Sequence, residues 1–312
     1  MPRSEGAHSN HRIHRDHHPV NTRNLLFTTV LNLVITIVEV AGSILSGSIA
    51  LLSDAIHNLS DTFATFIAYM ASLIGKRKAT PGKTFGYKRV EILAALLNAV
   101  ILIVTCVFLI MEAYERLKEP QQVKSLVMVV VAMIGLLANL YALLILKRDV
   151  HKSINVKAAY VHLLGDLFSS VLVVVGGLLM QIRQLYWIDP LITLLISIYI
   201  MREAFIILKE AVNILMQSAP SGLDIAKIRE RVESVPEISN IHHLHAWMLT
   251  DQEVHLEAHV EMAEDLKLSQ VRSISQRIET MLKHDFQVHH VTLQFEHGSN
   301  HPPRLIHQVQ KP

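Results

Sequence analysis

Two short stretches carry residues that could do chemistry. His57 and Asp61 lie four apart in LLSDAIHNLSDTFATF (51–66), and His162 and Asp166 repeat that spacing in AAYVHLLGDLFSS (158–170). An i, i+4 spacing on a helix puts both side chains on one face, one turn apart. Both stretches are otherwise apolar, and an ionisable group at membrane depth costs about 2.5–3.5 kcal/mol on insertion scales. Two imidazoles and two carboxylates from two helices make an N2O2 set suited to a divalent ion such as Zn2+. Asp54 lies one turn before His57 on the same face. It could supply a fifth oxygen or stand on the access path, and the path is the preferred reading. Asn58 is expected to make a hydrogen bond within the helix bundle, and Asn98 and Asn139 are further polar points. Glu39 and Glu91 are expected to pair with Arg89 or Lys88 as structural or gating groups. Gly176-Gly177 is expected to permit close helix packing or a kink.

The elements that must position these groups are long apolar runs. Of 312 residues, 51% are hydrophobic and 18% are charged, which is too apolar for an ordinary soluble domain. Six segments, at about 25–45, 49–74, 91–113, 123–146, 158–182 and 190–208, each approach the roughly 20 residues needed to cross a bilayer. A Ser46-Gly47-Ser48 turn joins the first two. The second-to-third connection carries Lys76, Arg77, Lys78, Lys83, Lys88 and Arg89, and the fourth-to-fifth carries Lys147, Arg148, Lys152 and Lys157. The alternate connections hold fewer cations, so both termini are expected on the cytoplasmic side of the cell membrane. The expected fold is a polytopic α-helical membrane protein with six transmembrane helices over 24–217.

From Ser218 the character changes. Ser218-Ala219-Pro220-Ser221-Gly222 reads as a linker. Helical periodicity over 223–232, strand alternation over 241–249 and 254–260, a helix over 268–282 and a strand over 288–295 describe a small α+β domain, αββαβ, over 218–297. Thr250–Glu253 is the expected turn between the first two strands. His242, His243, His245, His255 and His259 cluster on those strands, with Glu296 and His297 after the last. Regular alternation would put His243 and His245 on one face and His242 on the other.

The ends are polar. Residues 1–23 hold His8, His11, His14, His17 and His18 and read as a disordered tail with weak metal-capturing character. Residues 298–312 read as a second disordered tail. His151 reads as a plain loop residue. The single cysteine, Cys106, excludes an intrachain disulfide. A net charge of +2 says little about partners, and with no basic stripe interleaved with aromatics no nucleic-acid partner is expected.

The residue types suggest how such a site would work. Histidine binds a metal when neutral and aspartate when ionised, so loading the site displaces protons. By linkage, protons weaken metal binding by the same factor, and a proton gradient could drive metal outward. A membrane metalloenzyme is the less favoured alternative, since there is no HExxH motif and no adjacent general base. A metal sensor lacks a recognisable output motif.

The chain resembles the cation diffusion facilitator family, particularly its bacterial zinc-exporting members. The resemblance rests on the paired HxxxD motifs, LLSDAIHNLSD (51–61), FGYKRVEILAALLNA (85–99), VHLLGDLFSS (161–170) and IHHLHAWML (241–249). It covers nearly all of the chain except the two tails. It implies a homodimer, six spans, zinc/proton exchange by alternating access, no enzymatic activity and a metallochaperone-like cytoplasmic domain. Family members with Asp in place of the first His handle zinc and cadmium alike, so His57 implies a preference for zinc. Cd2+, Co2+, Ni2+ or Fe2+ at the same site remains the alternative cargo. His242, His259 and Glu296 fall on family positions for a regulatory metal, and Gln294 stands where some members carry His.

Overall fold

The computed structural model describes residues 22–75, 77–147, 154–298 and 305. The N-terminal histidines (1–21), His151 and most of the C-terminal tail lie outside the described residues. Six long helices come first: α1 Thr22–Ser46, α2 Ile49–Gly75, α3 Val90–Lys118, α4 Ser125–Lys147, α5 Ile154–Arg183 and α6 Ile188–Leu215. Then follow α7 Ile225–Glu233, β1 Ile238–Met248, β2 Val254–Met262, α8 Leu268–Phe286 and β3 His290–Glu296. Among the described residues, four stretches are long and apolar enough to cross a membrane: Val90–Lys118, Ser125–Ile145, Tyr160–Arg183 and Ile188–Leu215. The helices run a few residues past the apolar segments. The polar ends Glu115–Lys118 and Lys209–Asn213 keep helical hydrogen bonding beyond where hydropathy stops.

The chain separates into two compact units, one of residues 1–62 and 109–196, the other of residues 63–108 and 197–312. In the first unit, α4 packs along α5 and along α1. Close approach needs the glycine pair: a Cβ at Gly177 would lie 2.6 Å from Val129 Cγ2, and one at Gly176 would strike Ile192. The turn between α1 and α2 places Gly47 at φ +74°, and Arg116 donates to its carbonyl at 2.6 Å. The start of α2 is held by a carboxylate from another helix. Asp189, at the start of α6, accepts Ile49 N–H at 2.9 Å and Ala50 N–H at 3.3 Å, and Ser48 Oγ donates to it at 2.5 Å. Those N–H groups have no partner inside α2, and a buried anion at a helix N-terminus satisfies them and complements its dipole. Asp189 was not singled out from the sequence; an acidic residue opening an apolar helix was the available signal.

In the second unit, β1 pairs antiparallel with β2, and β2 pairs parallel with β3, so β2 is central. One face of the sheet meets α7 and α8. Ile228 and Val232 pack there with Ile274, Ile278 and Leu282 against Ile241, Leu244, Leu256 and Val260, all at 4% exposure or less. Asp224 caps α7, accepting from Ala226 and Lys227 N–H at 3.1 Å each. Those backbone donors hold its carboxyl below the usual carboxylate range. Thr250 Oγ1 accepts Gln252 N–H at 3.3 Å and Glu253 N–H at 3.1 Å, closing the β1–β2 turn. Leu305, assigned from the sequence to a disordered tail, accepts Leu244 N–H at 2.8 Å and packs against the core.

Strand alternation fails in the middle of β1. The pairing shifts between His242 and His245, and His243 takes φ +51°. A bulge places two residues of β1 opposite one of β2. As a result both His242 and His243 approach His259, with ring centroids 5.5 and 4.7 Å away. The expected split of His242 from His243 across the two faces is thereby overturned.

Replacing Ile278 by Ala should cost about 2–5 kcal/mol through the lost apolar contacts and the cavity left behind. A chemical denaturation midpoint of the second unit, followed by Trp247 fluorescence, should fall accordingly.

Candidate metal centre

The four residues chosen for their spacing come together. His57 and Asp61 project from α2, and His162 and Asp166 from α5, each pair a turn apart as the i, i+4 rule requires. Each imidazole faces both carboxylates. His57 Nε2 lies 3.2 Å from Asp166 Oδ1 and 3.7 Å from Asp61 Oδ2; His162 Nε2 lies 3.1 Å from Asp61 Oδ2 and 3.8 Å from Asp166 Oδ2. Tetrahedral zinc with ligand bonds of 2.0–2.1 Å would set its ligand atoms about 3.3 Å apart. The two shorter N···O distances, 3.1 and 3.2 Å, lie close to that edge, and Asp166 meets His57 through Oδ1 and His162 through Oδ2. His57, Asp61 and Asp166 offer atoms that all lie within 4.8 Å of one another; His162 is not in that mutual cluster but reaches Asp61 Oδ2 from the open side, with its ring 5.9 Å from that of His57. Its side chain is 49% exposed, against 9% for His57 and 6% for Asp166. The site therefore has a closed floor and an accessible rim.

Supporting groups fix the floor. Ser169 Oγ lies 2.6 Å from Asp54 Oδ1 and 2.9 Å from the Asp166 carbonyl, so one hydroxyl joins α2 to the ligand-bearing turn of α5. Ser170 Oγ lies 3.3 Å from Asp54 Oδ2, and Asn139 of α4 donates to Ser170 at 3.3 Å. Asp54 is thus a buried anchor between α2 and α5, 2% exposed, and is not among the atoms clustered for an ion. Asn58 makes the expected bundle hydrogen bond, donating to Glu39 Oε2 at 2.8 Å. Glu39 does not pair with Arg89 or Lys88. It is buried on α1, and Lys88 instead reaches Glu253 at 2.6 and 2.7 Å. Glu91 is exposed.

A second cluster lies on the face of the sheet away from α7 and α8. His242 and His259 are cross-strand partners, and Glu296 comes in from β3, two positions beyond the Gln294 that pairs with His259. His259 Nδ1 to Glu296 Oε1 is 2.7 Å, and His242 Nε2 to Glu296 Oε2 is 3.7 Å. These three offer atoms mutually within 4.8 Å, a three-ligand set. Gln294 Nε2 donates to Glu296 Oε1 at 2.7 Å and so orients the carboxylate. His245 pairs with Glu257 outside this set, and its ring packs edge-on to His243 at 5.1 Å. His255 belongs elsewhere, between Trp247, Phe85 and His290, at centroid distances of 5.5, 5.7 and 4.9 Å.

Replacing Asp166 by Ala should abolish tight zinc binding at the helix site, and Ser169→Ala should weaken it about tenfold by loosening the outer shell. Competitive chelator titration of the purified protein measures both. His255 gives a pH prediction. Burial, then the charge of His290, pushes its pKa below the ordinary 6.5. The unfolded chain therefore binds the proton more readily, and the stability held above 6.5 is lost as pH falls through the lowered value. His255→Phe should flatten the acid limb of the denaturation profile below pH 6.5.

A family description reading "Cation efflux transmembrane domain" matches residues 25–216, and "Cation efflux protein, cytoplasmic domain" matches 220–298. The chain is 37% identical over 281 residues to the metal cation efflux system protein CzcD of Cupriavidus metallidurans, covering 90% of this chain and 88% of that protein. It is 34% identical over 300 residues to a cadmium, cobalt and zinc/H(+)-K(+) antiporter of Bacillus subtilis (95% and 96% covered). It is 35% identical over 285 residues to the zinc transporter ZitB of Escherichia coli (91% and 90%). With HxxxD pairs meeting across two helices and both domains matched in order, the chain belongs to the cation diffusion facilitator family of metal cation efflux transporters, which are not enzymes.

Proposed function

We propose that this protein exports Zn2+ across the cell membrane in exchange for protons, by alternating access to the site formed by His57, Asp61, His162 and Asp166. The observation that carries the reading is that His57, Asp61 and Asp166 offer atoms mutually within 4.8 Å across two helices, with His162 Nε2 3.1 Å from Asp61 Oδ2 beside them, a donor set that suits one zinc ion. Proton exchange rests on the same atoms. Where an imidazole and its carboxylate share an added proton, a metal binding at Nε2 must release that proton. His57 is 9% exposed, so little water is at hand to solvate a second charge there. Metal and proton therefore exclude each other. A relative named as a zinc transporter supports zinc as cargo. The relative named for cadmium and cobalt as well supports the wider reading, in which Cd2+ or Co2+ uses the same site.

The membrane arrangement belongs to this reading: six spans within 24–217, both termini cytoplasmic, and residues 218–297 as a cytoplasmic α+β domain through which two copies associate. The domain's description as cytoplasmic supports the orientation, and so does the cationic 77–89 loop. Asp54 serves the access path only indirectly, by holding the ligand-bearing turns together. Metal at His242, His259 and Glu296 would bridge all three strands of the sheet and bias transport by stabilising one conformation.

Zinc-dependent proton flux in liposomes tests the proposal. Wild type should move protons against zinc, and Asp61→Ala or Asp166→Ala should reduce the rate at least about 100-fold, as loss of a buried ligand requires. Cadmium should compete more strongly than nickel, which prefers tetragonal coordination. Undiminished flux in either variant would overturn the site assignment; zinc flux without proton movement would overturn the exchange.

A further inference from the structure

In the second unit, a cavity of about 320 Å³ opens where α3 begins and α6 has just ended. That volume is in the range of small-ligand sites. Three cations line it, Lys83, Lys88 and Arg89, together with the aromatic rings of Phe85, Tyr87 and Trp247. Among the described residues no carboxylate lines it.

The cations are unequally engaged. Lys88 is held by both carboxylate oxygens of Glu253, at 2.6 and 2.7 Å. Lys83 lies over the Tyr87 ring, 4.2 Å from its centroid, which steadies the ammonium without giving it an acceptor. Arg89 Nε is buried and has no hydrogen-bond partner among the described residues. A guanidinium cannot deprotonate to escape that cost, and it is donor-only, so an acceptor is called for beside it. The fork of an arginine with a lysine point charge nearby suits a phosphate, whose several oxygens can take both. The start of α3 adds the positive end of a 29-residue helix, and Glu91 in its first turn does not line the cavity. Phe85, Leu93 and Trp247 supply an apolar wall beside that charge.

We propose that this cavity binds a phosphate ester, carried by the headgroup of an anionic phospholipid or by a soluble organic phosphate. Its place at the ends of two membrane-length helices puts it at headgroup level, a placement that rests on reading α3 and α6 as spans.

The test uses the full-length protein in nanodiscs of equal phosphatidylglycerol and phosphatidylcholine, with native mass spectrometry reading the lipid retained after release. Wild type should retain phosphatidylglycerol preferentially. Arg89→Gln should lower that retention about fivefold and Lys83→Gln/Arg89→Gln further, as expected for roughly one unit of surface charge attraction each. Arg89→Lys should recover part of it. Zinc affinity at the His57 site, measured alongside, should stay at the wild-type value, which separates this cavity from the transport reading and reports that the variants are folded. Inorganic phosphate provides an arm needing no variant. If it displaces the retained lipid or raises the thermal midpoint in detergent, the site takes soluble phosphate as well; if it does neither while phosphatidylglycerol is preferred, the ligand is the lipid headgroup. Equal retention of the two lipids with no phosphate effect overturns the proposal, and so does Arg89→Gln retaining lipid like wild type.

Discussion

Everything in the membrane part answers to one constraint: two imidazoles and two carboxylates must be held within a few ångströms of each other in apolar surroundings. Such groups repay the cost of leaving water only when each finds a partner of the right kind. Here each histidine faces both aspartates, so the set closes on itself across α2 and α5. The surrounding polar groups then have intelligible roles. Asp189 and Ser48 set where α2 starts, which fixes the height of His57 and Asp61. Ser169, Ser170 and Asp54 clamp α2 to α5 beside the ligands, and Asn58 with Glu39 ties α2 to α1. The buried floor and exposed rim make the site asymmetric, a useful property for an ion that must enter and leave.

The second unit gathers its candidate metal-binding side chains by a different device. Its sheet spends one face on a core with α7 and α8, so polar side chains from three strands collect on the other. Three strands sharing one pleated face bring His242, His259 and Glu296 together although 54 residues separate the first from the last. The bulge at His243 adds a stacked ring over His259 and interrupts the ladder beside the cluster. Bulges often re-aim side chains at sites of this kind.

How much of this was legible in the sequence depended on whether the signal was local. Helical periodicity and apolar length located all six long helices, with ends within about seven residues, and the i, i+4 pairs named the four groups that approach one another. Small-residue spacing at Gly176-Gly177 correctly pointed to close packing. Long-range polar partners were not legible. Glu39 was assigned to a cation near a segment end, yet it sits in the bundle with Asn58, because nothing in the local pattern reports which helix lies alongside. Asp189 escaped notice for the same reason: its partners are some 140 residues away. The bulge in β1 carries neither Gly nor Pro, so period-two reasoning ran straight through it. Leu305 looked like tail because the short apolar pair Leu305-Ile306 among polar residues has no periodicity to read.

The central claim concerns one ion shared between two helices, so the most direct measurement reads that ion's ligands. Zinc K-edge X-ray absorption on the full-length protein, with His242, His259 and Glu296 replaced by Ala to remove the second cluster, isolates the helix site. The account predicts a four-coordinate shell of two imidazole nitrogens and two carboxylate oxygens at about 2.0–2.1 Å, with no sulfur. A six-coordinate oxygen shell, or a shell containing fewer than two imidazoles, would contradict it.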